Sequence, residues 1–378
     1  MTLLRSILIG IVILLFASVA ILLVTHEGRV AIRAAMLVPE VMPNPGFRPL
    51  LAISEAPIEQ DLKFDYTGGK ANGTLYRPAG PGQHGAVILF LGINPNYDQE
   101  TLQQFARAVA RQGAVVLLAH GVALDRGSVS TEDVDVLVGG IRFLKTQPYV
   151  NEKRIGIAGF CLGGSIALLA AGDPRIAPDV RFVNSFGGFY SPESLIKALT
   201  THTVVVDSLK QEPWQPSNSA YQWFVQAVFN ALPPGERDDL RRLNGNGLNL
   251  SPQERAALPT RERAIYNLLA NRDPQVFGEL YDELPADLRT AMAKLAPLSN
   301  LPWLQAKVFL MADLNDEYVP ATESKDLNVA LQTYPRRTYT EFQLFDHMTP
   351  TTKLEGLPLA RELVKLFYHL YAVLLEMS

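Results

Sequence analysis

Cysteine is the scarcest residue of this sequence: Cys161 is the only one among 378 residues. A lone cysteine excludes an internal disulfide framework and any multi-cysteine zinc site, and leaves the redox compartment open. Surplus positive charge is also missing. Lys and Arg number 34 against 38 Asp and Glu, for a net charge of -4, and no long basic run occurs, so nothing electrostatic points to nucleic acid. Charged residues make up only 19% of the chain and apolar ones 48%, the composition of a globular protein and not of a disordered one. The partners expected on these grounds are small molecules.

What is present begins with an apolar run. Ile7 to Val24, "ILIGIVILLFASVAILLV", carries no charge and has about the length a helix needs to cross a bilayer. It predicts an N-terminal transmembrane anchor over residues 1–24, with a cleaved signal sequence ending near "SVA" (Ser18 to Ala20) as the alternative and a core helix as a third reading. Arg5 on one side and Arg29 and Arg33 on the other nearly balance the positive-inside rule. The expectation is a single-pass membrane protein with an extracytoplasmic catalytic domain. Pro39, Pro43, Pro45, Pro49 and Pro57 then predict a semi-extended linker over residues 25–57.

From residue 58 to 378 the pattern is that of one domain. "IEQDLKFDYT" and "KANGTLYRPA" read as antiparallel strands joined through Gly68 and Gly69. Near-continuous apolar strands then alternate with helices: "GAVILFLG", "AVVLLAH", "RIGIAGF" and "VRFVNSFGGFY" are the strands. "DQETLQQFARAVARQG" is among the helices, with Leu102, Phe105, Ala106 and Val109 on one face. Such alternation implies a mostly parallel central sheet flanked by helices, the α/β class. The strand signal lapses over about 206–300, which predicts a helical insertion, with starts at Ser251-Pro252 and Asp273-Pro274. Within it "AYQWFVQAVFNAL" has helical apolar spacing. Its face either packs on the domain or forms a lid over an acyl-sized pocket. The alternation resumes with "AKVFLMADLND", "TESKDLNVALQTY" and "RTYTEFQLFDH" and ends in a helix from about Leu357 to Met377. The charges of Arg361, Glu362, Lys365 and His369 in that helix argue against a second span.

The cysteine sits in "GIAGFCLGGSIALL". Gly159-Phe160-Cys161-Leu162-Gly163 has G-x-C-x-G spacing at a strand-to-helix junction, the setting of a nucleophile elbow. A small buried core thiol is the alternative. A dinucleotide-binding loop needs G-x-G-x-x-G, which Phe160, Cys161 and Leu162 do not supply. The elbow reading requires a base and an orienting acid in the chain order nucleophile, acid, histidine. "FLMADLNDEYVP" supplies Asp316, with Asp313 as the other choice, and "FQLFDHMTP" supplies His347. The oxyanion donors expected by position are the backbone N–H groups of Leu162 and Ile93, with Gly92 giving access. Of the other histidines only His120 ends a strand, where it could line the pocket. No metal site or organic cofactor is expected.

The pattern resembles the dienelactone hydrolase family of α/β-hydrolases, over roughly Gly85 to Tyr190 and again from Ala306 to the C-terminus. "RIGIAGFCLGGSIALLAA", "NDEYVP" and "DHMTP" carry the resemblance. It implies an α/β-hydrolase fold and hydrolysis of an ester or lactone through a thioester, with Cys161, Asp316 and His347 as the triad. The family's extra carboxylate after the first central strand has no counterpart in Gly92, Ile93 and Asn94. Two further expectations therefore stand beside hydrolysis: a membrane-tethered fold that binds a ligand or partner without turnover, and acyl transfer.

Overall fold

The computed structural model describes residues 23–43, 46–92, 99–206, 210–233, 235–236, 248–351 and 353–378. Strands β1 (Ile58–Tyr66) and β2 (Gly69–Arg77) pair antiparallel, Tyr66 facing Gly69 across the turn. They are followed by β3 (His84–Leu91), β4 (Val115–Ala119), β5 (Val150–Phe160) and β6 (Val180–Phe186). A small separate hairpin, β7 (Thr203–Val206) with β8 (Lys210–Pro213), precedes β9 (Lys307–Asp313) and β10 (Arg337–Phe342). The central sheet has eight strands in the order β1-β2-β4-β3-β5-β6-β9-β10. It is parallel from β4 to β10 and antiparallel at the β1-β2-β4 edge. The strand-forming segments are rich in Val, Ile, Leu and Phe on both faces because both faces are covered: β3 from Ala86 to Phe90 and β4 throughout are buried.

The longer helices are α1 (His26–Val41), α2 (Gln99–Arg111), α3 (Glu132–Lys145), α4 (Leu162–Ala171), α5 (Pro192–Thr201), α6 (Asn218–Ala231), α7 (Thr260–Ala270), α8 (Ala286–Ala293), α9 (Ala321–Ala330) and α10 (Gly356–Met377). One cluster of buried side chains packs α3 and α4 onto one face, centred on Ile88, Leu117, Ile157 and Leu310. A second packs α1, α2 and α10 onto the other through Val87, Leu89, Val116 and Phe309.

Two expectations are corrected here. Among the described residues no helix is long and apolar enough to cross a membrane. The expected span, Ile7 to Val24, lies outside the described residues except for Leu23 and Val24. The chain directly after it is built into the domain and does not trail from it, so membrane anchoring, single-pass topology and an extracytoplasmic domain are withdrawn. The expected linker over 25–57 is helical in part. Thr25 caps α1 by accepting a hydrogen bond from Gly28 N at 3.1 Å, and Val30, Ala34 and Leu37, spaced by four and three, are buried against the core. Each fully buried side chain of this size contributes roughly 1.5–3 kcal/mol, enough to hold a helix against one proline. Pro49 opens a short helix, Pro49–Ile53, where its missing N–H has no intrahelical acceptor to lose, whereas Pro39 falls in the last turn of α1 and removes one backbone bond close to the helix end.

Between 214 and 303 the described residues are helical or irregular, and the β7-β8 hairpin at the start of this stretch was not expected. In α6, Val225 and Phe229 face α7 through Ile265, Leu268 and Leu269. Trp223, Phe224, Ala227 and Val228 line a cavity. One side of this helix is thus packed on α7 and another faces the cavity.

Candidate active site

The sheet register brings four strand ends level. Phe160 of β5 pairs with Phe186 of β6, which pairs with Met311 of β9, and Asp313 pairs with Phe342 of β10. Loops leaving these carboxyl ends share one rim, where open α/β sheets bind ligands.

Cys161 stands between β5 and α4 with φ 56° and ψ -135°, a conformation that an L-residue adopts only under constraint. Its N–H donates to Phe186 O at 2.8 Å and its carbonyl accepts from Gly164 N at 2.8 Å. The turn closes only because its flanks are glycine. A Cβ on Gly159 would stand 2.2 Å from Gly163 O, and one on Gly163 would stand 2.6 Å from Phe90 O, so any side chain would push α4 off the sheet. Leu162 opens α4, where backbone N–H groups have no intrahelical acceptor. Gly92, at the end of β3, lies against the same spot: a Cβ there would be 2.8 Å from Leu162 N and 3.0 Å from Cys161 Cβ. Ile93, the other expected donor, lies outside the described residues.

The acid and the histidine meet. His347 Nδ1 is 2.7 Å from Asp316 Oδ2, and both side chains are buried. Asp316 Oδ1 accepts from Tyr318 N at 2.7 Å and Val319 N at 3.0 Å, which fixes the orientation of the carboxylate. Asp313, the other choice, does something else: it accepts from Asn315 N at 3.1 Å and from His347 N at 2.9 Å. Its carboxyl pKa is pushed up to about 7, first by burial and then by Asp316 nearby. His347 occupies the turn between Phe345–Asp346 and Thr349–Pro350, with φ 61°. Asp313 thus anchors the backbone of a residue in the left-handed region while Asp316 holds its ring. Burial alone would lower the imidazole pKa. The charge and hydrogen bond of Asp316, together with those of Cys161, outweigh it, and the histidine lies well above its ordinary value.

Contacts between distant segments complete the site. Tyr318 stacks on the His347 ring at 4.6 Å, and Trp223 of α6 lies 5.4 Å from Tyr318. Trp214 Nε1 donates to Asp316 O at 3.0 Å, and Ser217 N donates to Glu317 O at 2.9 Å. The helical stretch is therefore fastened to the loop that carries the acid. Gly187, with φ 64°, leaves room beside the pair: its missing Cβ would lie 3.5 Å from Asp316 Oδ2. None of Tyr318, Trp214 or Gly187 was singled out from sequence; the aromatic in "NDEYVP" was the one available signal. His120, expected as a pocket residue, instead sits 3.6 Å from Asp125 and lines a separate surface hollow with Asp61 and Asn72. Among the described residues no His, Cys, Asp and Glu cluster could hold a metal ion.

Cys161 and Leu162 open onto a cavity of about 730 Å³ walled by α5, α6 and α7, within the roughly 300–1,000 Å³ of small-molecule sites. Sheet order, elbow and the acid and histidine loops define the α/β-hydrolase fold. Residues 72–221 match the Dienelactone hydrolase family. A stretch of 123 residues is 30% identical to a probable 2-oxo-3-(5-oxofuran-2-ylidene)propanoate lactonase of Bradyrhizobium sp, covering 29% of this chain and 49% of that protein. The chain thus spans about half the length of that curated relative. The acylaminoacyl peptidase of Pyrococcus horikoshii superposes with a TM-score of 0.50 at 13% identity, covering 87% of this chain and 42% of the other, a likeness of fold alone.

Proposed function

We propose that this chain hydrolyses carboxylic esters or lactones through Cys161, His347 and Asp316 and a thioester intermediate. The observation that carries the reading is the buried 2.7 Å His347–Asp316 contact on the rim where Cys161 holds its positive-φ turn. His347 takes the thiol proton, and the Cys161 sulfur attacks the carbonyl carbon. The oxyanion forms beside Leu162 N, where the N-terminal end of α4 favours negative charge. As the C–O bond breaks, the His347 imidazolium returns its proton to the leaving alcohol. Water then gives a proton to His347 and attacks the thioester carbon, releasing the acid and the thiolate, which is reprotonated by His347. No carboxylate stands at Gly92; the proton path proposed runs through His347, whose raised pKa suits an imidazolium paired with a thiolate.

Mixing the protein with p-nitrophenyl butyrate, quenching in acid and mapping peptides by mass spectrometry should locate a butyryl group on Cys161. Steady turnover with Cys161 unmodified would discard the thioester. No turnover of any ester or lactone would favour binding without catalysis.

Gly92 gives a second check. In Gly92→Ala the new methyl would crowd Leu162 N and displace the substrate oxygen from its donors, so kcat for p-nitrophenyl butyrate should fall roughly a hundredfold. An unchanged kcat would remove Gly92 from the oxyanion site.

A further inference from the structure

We infer that the substrate of this site is an uncharged ester carrying a long apolar arm, which lies in the cavity under α5, α6 and α7; this rests on the ester-hydrolase reading above. The cavity of about 730 Å³ is far larger than the reacting carbonyl needs, and Leu195, Ile196, Phe224, Val228, Leu268 and Leu269 are among its walls. Of these, Leu195, Ile196, Leu268 and Leu269 are themselves buried from solvent by neighbouring helices, so the wall is a fixed part of the fold's packing.

Charge is sparse in the lining. Among the described lining residues the charged ones are Asp287 and Lys294. Asp287 is committed to Arg261, whose two guanidinium N–H groups donate to it at 2.8 and 2.9 Å. Lys294 is exposed, next to the Leu295 that packs into the core. A substrate carboxylate carried deep into this space would lose its water with no buried cation among the described lining residues to replace it, which is strongly unfavourable. An alkyl or aromatic arm would exchange water for the walls described, at about fourfold in affinity for each methylene.

The test is a series of p-nitrophenyl esters from acetate through butyrate and octanoate to decanoate, and a parallel series of alkyl acetates. In at least one series kcat/KM should rise about fourfold per added methylene up to the octyl length. p-Nitrophenyl hemisuccinate should be poorer than the butyrate by roughly tenfold or more. Ala227→Trp, which narrows the cavity, should lower the decanoate-to-acetate ratio.

Flat or falling values in both series, or a preference for the hemisuccinate, would overturn the inference while an acylated Cys161 kept the hydrolase reading. If no ester turns over, the hydrolase reading fails, and methyl decanoate decides the other question. Saturable change of tryptophan fluorescence in Cys161→Ala supports an apolar occupant, and its absence overturns one.

Discussion

Cys161→Ala is expected to reduce turnover of p-nitrophenyl butyrate by roughly 10⁴-fold or more, leaving the fold in place. The side chain is small and 6% exposed, and the contacts that shape its turn are backbone ones: its N–H to Phe186 O and its carbonyl to Gly164 N. Alanine keeps both. What it removes is the atom proposed to attack the carbonyl. Residual rate above water should come from the Leu162 N–H and from binding in the cavity. Cys161→Ser makes a sharper comparison, because a hydroxyl occupies nearly the same space. Serine needs a base strong enough to take a much more tightly held proton. His347 here sits beside a thiol and an acid that together stabilise its charged form, so the serine variant should lie between parent and alanine. Circular dichroism and urea midpoints close to the parent's would confirm that only chemistry changed. A Cys161→Ala protein with parental kcat would show the thiol to be core packing.

Much of the arrangement was readable from the chain because strand ends are marked twice. An apolar run stops, and a residue able to do chemistry follows: Cys161 after "RIGIAGF", Asp316 after "AKVFLMA", His347 after "RTYTEFQLF". A parallel sheet puts all such ends on one rim, so linear order alone brought Asp316 and His347 near each other. The choice between Asp313 and Asp316 was harder, since it depends on a turn: Asp313 still belongs to β9, and only three residues later does the chain swing back to face the imidazole. Helix α1 was hidden by its prolines, whose density outweighed the Val30, Ala34, Leu37 spacing. Contacts such as Trp214 to Asp316 O join segments about a hundred residues apart and have no local signature. The N-terminal apolar run misled in a different way: hydrophobicity of the right length predicted a membrane span, and the following segment was read as its tether when its apolar face is part of the core.

Asp316→Asn is the second large effect, expected at about 10³- to 10⁴-fold in kcat. The asparagine carbonyl can still accept from Tyr318 N and Val319 N, which now bond Asp316 Oδ1, so the loop should hold its shape. Its amide NH₂ would then face His347 Nδ1. A donor there forces the proton onto Nε2, the nitrogen that must accept from Cys161, and the base is lost by tautomer rather than by distance. The same change should be visible in stability. His347 has a folded pKa raised above its ordinary 6.5, against the pull of burial, by Asp316 and Cys161. A raised histidine contributes stability that is fully present below the unfolded value and is lost as pH rises through the folded one. Below pH 6.5, where the imidazole is charged in both states, the parent should therefore exceed Asp316→Asn by the most. That difference should shrink as the pH is raised past the folded pKa. Urea unfolding of both proteins across this range measures it directly, and a constant difference would mean that Asp316 acts on the fold without holding the charge of His347.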